Sequence, residues 1–343
     1  MLSRLLDATA EPAIVVSLID VADHYRDASS EQVRFISLGC RSAAQLTFGI
    51  LKLSRVMARE KPTAVLCWMY HAMVAGSLAG RLSGIRAPLY WNVRQSLDDR
   101  RSFSRNTLLA ARAARHLTHL PAGIMFNSAR SLELHRQYGY RNGNVIVIPN
   151  GIEPADADDA VQEKEPRVVG IAARLHPQKD HRTFFRAAAL AVRSRPGVRF
   201  VAAGAGMTMD NPDVRNMVAE SGLPSDTIQL LGELDDMDAF YRSIDILALS
   251  SRTEGFPNVV AEAMNHGKPV VSSDVGDAAA IIGETGVVVP PGDPEALARG
   301  IGSMLNLSPS AYAALSAAAA DRVRSLFSLQ NSAMRYRAFL NSV

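Results

Sequence analysis

Two cysteines in 343 residues, Cys40 and Cys67, are too few for a disulfide framework, and they do not stand at metal-ligand spacing. They read as buried thiols in a reducing compartment. No apolar run reaches the roughly 18 residues a membrane-spanning helix needs, and the amino terminus lacks a basic region followed by an apolar stretch. The expected location is therefore the cytoplasm. Internal repeats are absent, and the alanine-rich "AAALA" and "SAAAAD" are only helix-favouring. Basic residues are not interleaved with aromatics in any recognised module, so no nucleic-acid partner is expected. With 48% hydrophobic and 21% charged residues, the composition excludes disordered and fibrous classes.

Net charge is small, +3, but unevenly placed. Residues 1–153 hold 19 Lys and Arg against 11 Asp and Glu, and the remainder 18 against 23. Arg100, Arg101, Arg105, Arg112 and Arg115 fall in a helix-like stretch, "RRSFSRNTLLAARAARHL". Such a face suits anionic lipid headgroups or an anionic acceptor, and a merely solvated helix face is the plain alternative.

The length exceeds one ordinary core and predicts two domains. Short apolar runs alternate with helical stretches: "AIVVSLID", "VRFISLG", "TAVLCW", "APLYWNV", "GIMFNS" and "VIVIP", then "RVVGIAA", "VRFVAAG", "IQLLG", "IDILALS", "PVVSSD" and "GVVVP". That order predicts an α/β chain of two doubly wound parallel sheets, with strands covered on both faces. The acidic, Pro-containing stretch 149–167 reads as the linker. The predicted domains are 1–155, 156–325 and a C-terminal helix over 326–343 that packs back on the first domain. The opening "MLSRLLDATAEP" reads as the tail of a helix, where a doubly wound domain normally opens with a strand and a Gly-rich turn.

Candidate chemistry gathers in the second half. "EGFPNVVAEAM", 254–264, follows an apolar strand and places Glu254 in the crevice outside its carboxyl end, where open α/β sheets bind ligands. Pro257 suits a helix start and Gly267 a stop. The N–H groups of Gly255, Phe256 and Asn258 then face anions or sugar hydroxyls. Glu262 lies further along the helix, so two carboxylates can accept hydrogen bonds at different depths along one elongated ligand. Alone, either is equally a solvated charge. In "GIAARLHPQKDHRTFFRAA", 170–188, Arg174 and Lys179 stand at another strand end, and paired cations there suit a diphosphate. Gly204 and Gly206 in "VAAGAGM" mark a third strand end, where strand-helix packing explains them as well as ligand approach does.

Together with "VIVIPNGI", "AGIMFNSARSLEL" and "GVVVPPGDPEALARGI", these segments resemble the retaining glycosyltransferases of family 4, which have the GT-B fold. The resemblance implies two Rossmann-like domains facing a cleft, the N-terminal one for the acceptor and the C-terminal one for the donor. It implies transfer of a hexose from a UDP- or GDP-sugar to a glycan or lipid-linked acceptor in surface polysaccharide assembly, with no cofactor and no metal. Arg174 and Lys179 look like the residues that bind the donor diphosphate, Glu254 like the glutamate beside the donor sugar, and Glu262 like the one that takes the ribose hydroxyls. Gly204, Gly255, Phe256, Pro257 and Asn258 line the implied donor site. Base recognition is expected from backbone around Gly232 to Leu234.

The chain departs from the pattern in two places. The opening strand and Gly-rich turn are missing, and Asn92 and Arg94 in "LYWNVRQSL" stand where relatives place a cleft histidine; His71 in "WMYHAM" is another candidate. A catalytically impaired nucleotide-binding subunit is the alternative reading. An epimerase lacks paired acid and base residues, and an NAD-dependent oxidoreductase lacks GxGxxG after an opening strand.

Overall fold

The computed structural model describes residues 2–9, 11–21, 32–155 and 164–342. All twelve apolar runs form strands, β1 to β12: Ala13–Ser17, Val33–Ser37, Val65–Trp68, Leu89–Val93, Gly123–Phe126, Val145–Val147, Val168–Ala172, Arg199–Ala203, Ile228–Gly232, Ile246–Leu249, Val270–Ser273 and Gly286–Val289. Between and around them lie helices α1 Leu2–Thr9, α2 Ala43–Glu60, α3 Met69–Ser83, α4 Arg105–His116, α5 Ala129–Tyr138, α6 His181–Ser194, α7 Pro212–Ser221, α8 Met237–Ser243, α9 Asn258–Asn265, α10 Ala278–Ile282, α11 Pro294–Leu305, α12 Pro309–Leu326 and α13 Leu329–Leu340.

The chain divides into two compact units. One comprises Met1–Leu97, Phe103–Gly151 and Leu329–Val343, and the other Asp98–Ser102 and Ile152–Ser328. The stretch read as a linker lies partly outside the described residues, at 156–163.

In the first unit β3-β4-β5-β6 form a parallel sheet in sequence order, and β1 pairs with β2 in a separate parallel pair. Among the described residues no strand precedes Ala13, and α1 occupies the opening instead. Side chains alternate across β4 and β5. Trp91, Val93, Ile124 and Phe126 pack under Tyr70, Met73, Ala111 and Ala114 of α3 and α4. On the other face, Tyr90, Met125 and Ile148 pack under Leu5 and under Ala333, Tyr336 and Phe339 of α13. The carboxyl-terminal helix is thus part of the first unit's core.

The second unit's sheet runs β12-β11-β10-β7-β8-β9, all parallel. Its first strand, β7, lies in the middle; the chain builds outward on one side through β8 and β9, then crosses to β10 on the other. Strand order therefore reverses between β7 and β10, and a crevice opens beyond their carboxyl ends. Both faces are covered: Phe200, Ala202, Ile246 and Ala248 enter one core, while Val201, Ala203, Leu247 and Leu249 enter the other. That double burial is why these strands read as unbroken apolar runs, each large aliphatic contributing about 1.5–3 kcal/mol.

The Arg-rich stretch 100–117 is not one helix: Arg100–Ser102 is a 3-10 turn, and α4 starts only after Ser104, whose hydroxyl accepts from the Thr107 N–H. Phe103, buried between them, breaks the run. Arg115 is folded over the Tyr138 ring at 5.4 Å rather than lying on an open face.

Candidate functional site

The loops after β7 and β10 meet at the reversal point. After β7 the chain passes Ala173 and the exposed Arg174, then makes a 3-10 turn, Pro177–Lys179, capped by His176, whose Nδ1 accepts from the Gln178 N–H at 3.3 Å. Asp180 takes a left-handed conformation, φ 46°, and leads into α6. After β10 come Ser250, Ser251 and Arg252, then the turn to Glu254.

Four contacts lace these loops together. The Ser250 hydroxyl donates to the Lys179 carbonyl at 2.8 Å, and the Arg252 N–H donates to the Gln178 carbonyl at 2.8 Å. The Arg252 guanidinium meets the Asp180 carboxylate at 2.9 Å, and the same Asp180 oxygen accepts from the Thr183 hydroxyl. Lys179 Nζ lies 2.5 Å from Glu254 Oε1, which also accepts from the Ser251 hydroxyl at 2.7 Å. Side-chain exposures of 22% and 14% put this pair inside the crevice rather than on open surface. Two residues 75 positions apart are thus one unit of charge, and the exposed Arg174 stands on the same loop as Lys179. Burial, and then the Arg174 and Lys179 charges, push the His176 imidazole below its usual range.

Gly204 shapes this edge from beneath. At φ 143°, a side chain on it would come within 2.3 Å of the Ala173 carbonyl oxygen and 2.7 Å of the Arg174 nitrogen. Its role is close backbone approach, which fixes where Arg174 leaves the strand. Gly206, at φ 83°, packs over Leu175. Gly232 is fully engaged, donating to the Met207 carbonyl and accepting from Gly204 N–H, so its backbone groups hold this turn.

The 254–258 turn is held from the next strand end. A Cβ on Gly276 would strike the Gly255 carbonyl oxygen at 2.1 Å, and the Asp277 N–H donates to that same oxygen. Phe256 is buried, edge-on to Phe327 at 5.4 Å, so its ring is a packing anchor. Pro257 is the residue before α9, not its first turn. Glu262, one turn into α9, accepts from the Tyr241 hydroxyl at 2.9 Å; the Tyr241 ring stacks on His266, which contacts Asp238 at 3.0 Å. Sequence reasoning missed Ser251, Arg252, Asp180, His176 and Tyr241, none of which has motif spacing of its own.

In the first unit, Asn92 and Arg94 share a face of the strand end and converge on one atom. Asn92 Nδ2 and Arg94 Nη1 both donate to the Tyr336 hydroxyl, at 2.9 and 3.1 Å. Arg94 also lies 4.6 Å over the Trp68 ring, and burial pushes its guanidinium below the ordinary value. Beside them, Asn127 Nδ2 donates to the Arg94 carbonyl. The buried amide oxygens of Asn92, Gln95 and Asn127 have no hydrogen-bond partner among the described residues. His71 is exposed in the first turn of α3 and, with Trp68 and Tyr336, lines a cavity of about 1090 Å³. No group of three or more metal-ligating side chains occurs among the described residues.

Arg174, Lys179 and Glu254 thus stand on the two loops that meet at the reversal point of an open parallel sheet. The family description "Glycosyltransferase Family 4" matches residues 4–156, and "Glycosyl transferases group 1" matches residues 166–306. The chain belongs to this glycosyltransferase family, and its fold is GT-B. A lipopolysaccharide core biosynthesis mannosyltransferase of Rhizobium leguminosarum bv. viciae is 29% identical over 262 residues, covering 67% of this chain and 74% of that protein. A D-inositol 3-phosphate glycosyltransferase of Mycolicibacterium gilvum is 33% identical over 185 residues, 50% of this chain and 41% of the relative's length. Among solved structures, Anabaena HepE in complex with UDP superposes with a TM-score of 0.80 at 22% identity, covering 100% of this chain and 96% of that one.

Proposed function

We propose that this chain is a retaining glycosyltransferase that moves a hexose from a UDP- or GDP-sugar to a glycan or lipid-linked acceptor in surface polysaccharide assembly, working at the inner face of the membrane. The observation that carries the reading is the crevice between β7 and β10, where Arg174 and the Lys179–Glu254 pair lie at the strand ends. The mannosyltransferase relative and the UDP-bound neighbour favour it.

In this reading the donor's diphosphate lies along Arg174 and Lys179, with the N–H groups of Gly255, Phe256 and Asn258 beside it. The carboxylate of Glu262, oriented by Tyr241, accepts from the ribose hydroxyls. Lys179 leaves Glu254 for the phosphate, which frees Glu254 to accept from the hexose. The bond from C1 to the diphosphate oxygen breaks with its electron pair going to the diphosphate, and the acceptor oxygen bonds C1 from the same face. The acceptor's proton passes to the departing diphosphate. Negative charge grows on that leaving group, so fixed cations there stabilise the transition state more than the ground state. Arg174 and Lys179 supply the charge that other transferases take from a metal ion. The buried amide oxygens of Asn92, Gln95 and Asn127, without a partner among the described residues, would accept from acceptor hydroxyls once the strand end opens to them.

Incubation with UDP- and GDP-hexoses and a panel of lipid-linked glycans, read by nucleotide release and by NMR of the new linkage, tests this. Product with the donor's anomeric configuration is expected, and kcat should fall at least a hundredfold in Arg174→Ala and Lys179→Ala. An inverted product contradicts the retaining mechanism. Tight nucleotide binding without release on any acceptor supports a binding subunit instead.

A further inference from the structure

The helices α2, α3 and α4 lie side by side over one face of the first unit's sheets, their inner sides closed by Leu53, Met57, Ala79, Met73 and Ala111. Their outer sides are unusual. Ten large apolar side chains are exposed among the described residues, and five of them stand on these three helices: Phe48, Leu51, Leu78, Leu82 and Leu109. Phe48, Leu82 and Leu109 are 67%, 61% and 63% exposed, so most of each residue faces water rather than the unit's core. Exposed Lys52, Arg55, Arg81, Arg105 and Arg112 are interspersed with them. The three helices hold a single acidic residue, Glu60, and it is already bound by Arg34 and Arg59.

Water-facing leucine and phenylalanine beside unopposed cations is the chemistry of an interfacial surface. From it we infer that the outer face of α2, α3 and α4 docks on an anionic lipid bilayer, Phe48, Leu82 and Leu109 entering the acyl boundary and the arginines meeting lipid phosphates. Charge complementarity selects this occupant: a cytoplasmic leaflet rich in anionic headgroups attracts basic side chains within a Debye length. A nucleic-acid phosphate backbone would use the cations but has no place for exposed leucines. The inference deepens the location in the proposed function and rests on it only for the side of the membrane. It also moves the contact away from Arg100 and Arg101, which lie in a turn that groups with the second unit.

Vesicle co-sedimentation of the full chain tests this, with phosphatidylcholine alone and with phosphatidylcholine containing 30% phosphatidylglycerol, roughly a physiological anionic fraction. Binding to the anionic vesicles is expected. The pair Phe48→Asp and Leu82→Asp should weaken it at least tenfold at every salt concentration. The pair Arg55→Glu and Arg112→Glu should abolish the preference for anionic lipid. All four positions are exposed, and unchanged circular dichroism and nucleotide-induced thermal shift establish that fold and donor site persist. Parent-like binding by either pair overturns the inference, as does a parent that ignores both vesicles. So does a parent that dimerises through this face in sedimentation velocity and is made monomeric by the aspartate pair. Because donor binding is read separately, loss of vesicle binding leaves the glycosyltransferase reading standing.

Discussion

At the scale of single residues, polar side chains in both units do their work through partners far away in sequence. The Tyr336 hydroxyl accepts from both Asn92 and Arg94, so Tyr336→Phe leaves two buried donors unpaired. It should destabilise the first unit by about 1–3 kcal/mol, read by urea denaturation followed on Trp68 and Trp91. His135 gives a pH signature. Its Nε2 lies 2.8 Å from the Tyr70 hydroxyl and its Nδ1 2.7 Å from the Ser131 carbonyl, a set that suits the neutral ring. Burial pushes its pKa down to about 4 from an unfolded value near 6.5. Between those values the unfolded chain holds a proton that the folded chain refuses, so stability is full above pH 6.5 and falls as pH drops toward 4. The loss is at most about 3 kcal/mol. The urea midpoint of His135→Gln should vary less across this window than that of the parent. Neither partnership is written in a motif. Asn92 could be singled out from its strand end, but Tyr336 lies 244 positions away and shows only as one apolar position of a helix.

At the scale of elements, what was legible and what was not separates by cause. All twelve strands were legible because strands covered on both faces are continuous apolar runs. The Arg-rich helix was not: helical periodicity continued through Phe103, whose burial and the Ser104 cap break it. Lys179 and Glu254 could be named from their strand-end positions, yet their direct ion pair is a tertiary fact that neither segment reveals. Ser251, in the loop after β10, and Tyr241, in α8, hydrogen-bond the two glutamates and lie in ordinary sequence with no special spacing. The structure also gives Gly204 a definite role, since its backbone and that of Arg174 occupy adjoining space. Gly204→Ala should destabilise the second unit by about 2 kcal/mol or more and weaken nucleotide binding, whereas alanine at half-buried Gly302, where a Cβ meets open space, should do neither. Chemical denaturation of the two variants side by side separates these outcomes.

At the scale of the whole molecule, each unit has its own cores, and both tryptophans, Trp68 and Trp91, lie in the first. Tryptophan fluorescence therefore reports one unit, while circular dichroism reports both. A nucleotide bound in the crevice of the second unit should raise the melting transition seen by circular dichroism and leave the fluorescence transition in place. Equal shifts by both probes would show the units unfolding as one.

The central claim, that the β7–β10 crevice holds a nucleotide diphosphate, is tested most directly by a thermal-shift panel of UDP, GDP, ADP and their sugar conjugates. The panel compares the parent with Arg174→Ala and Glu262→Ala. A ligand at 100 times its Kd stabilises the folded state by about 2.7 kcal/mol, a shift of several degrees. Stabilisation by one nucleotide family, lost in both variants, is expected. Equal stabilisation of the parent and both variants, or none by any nucleotide, would contradict it.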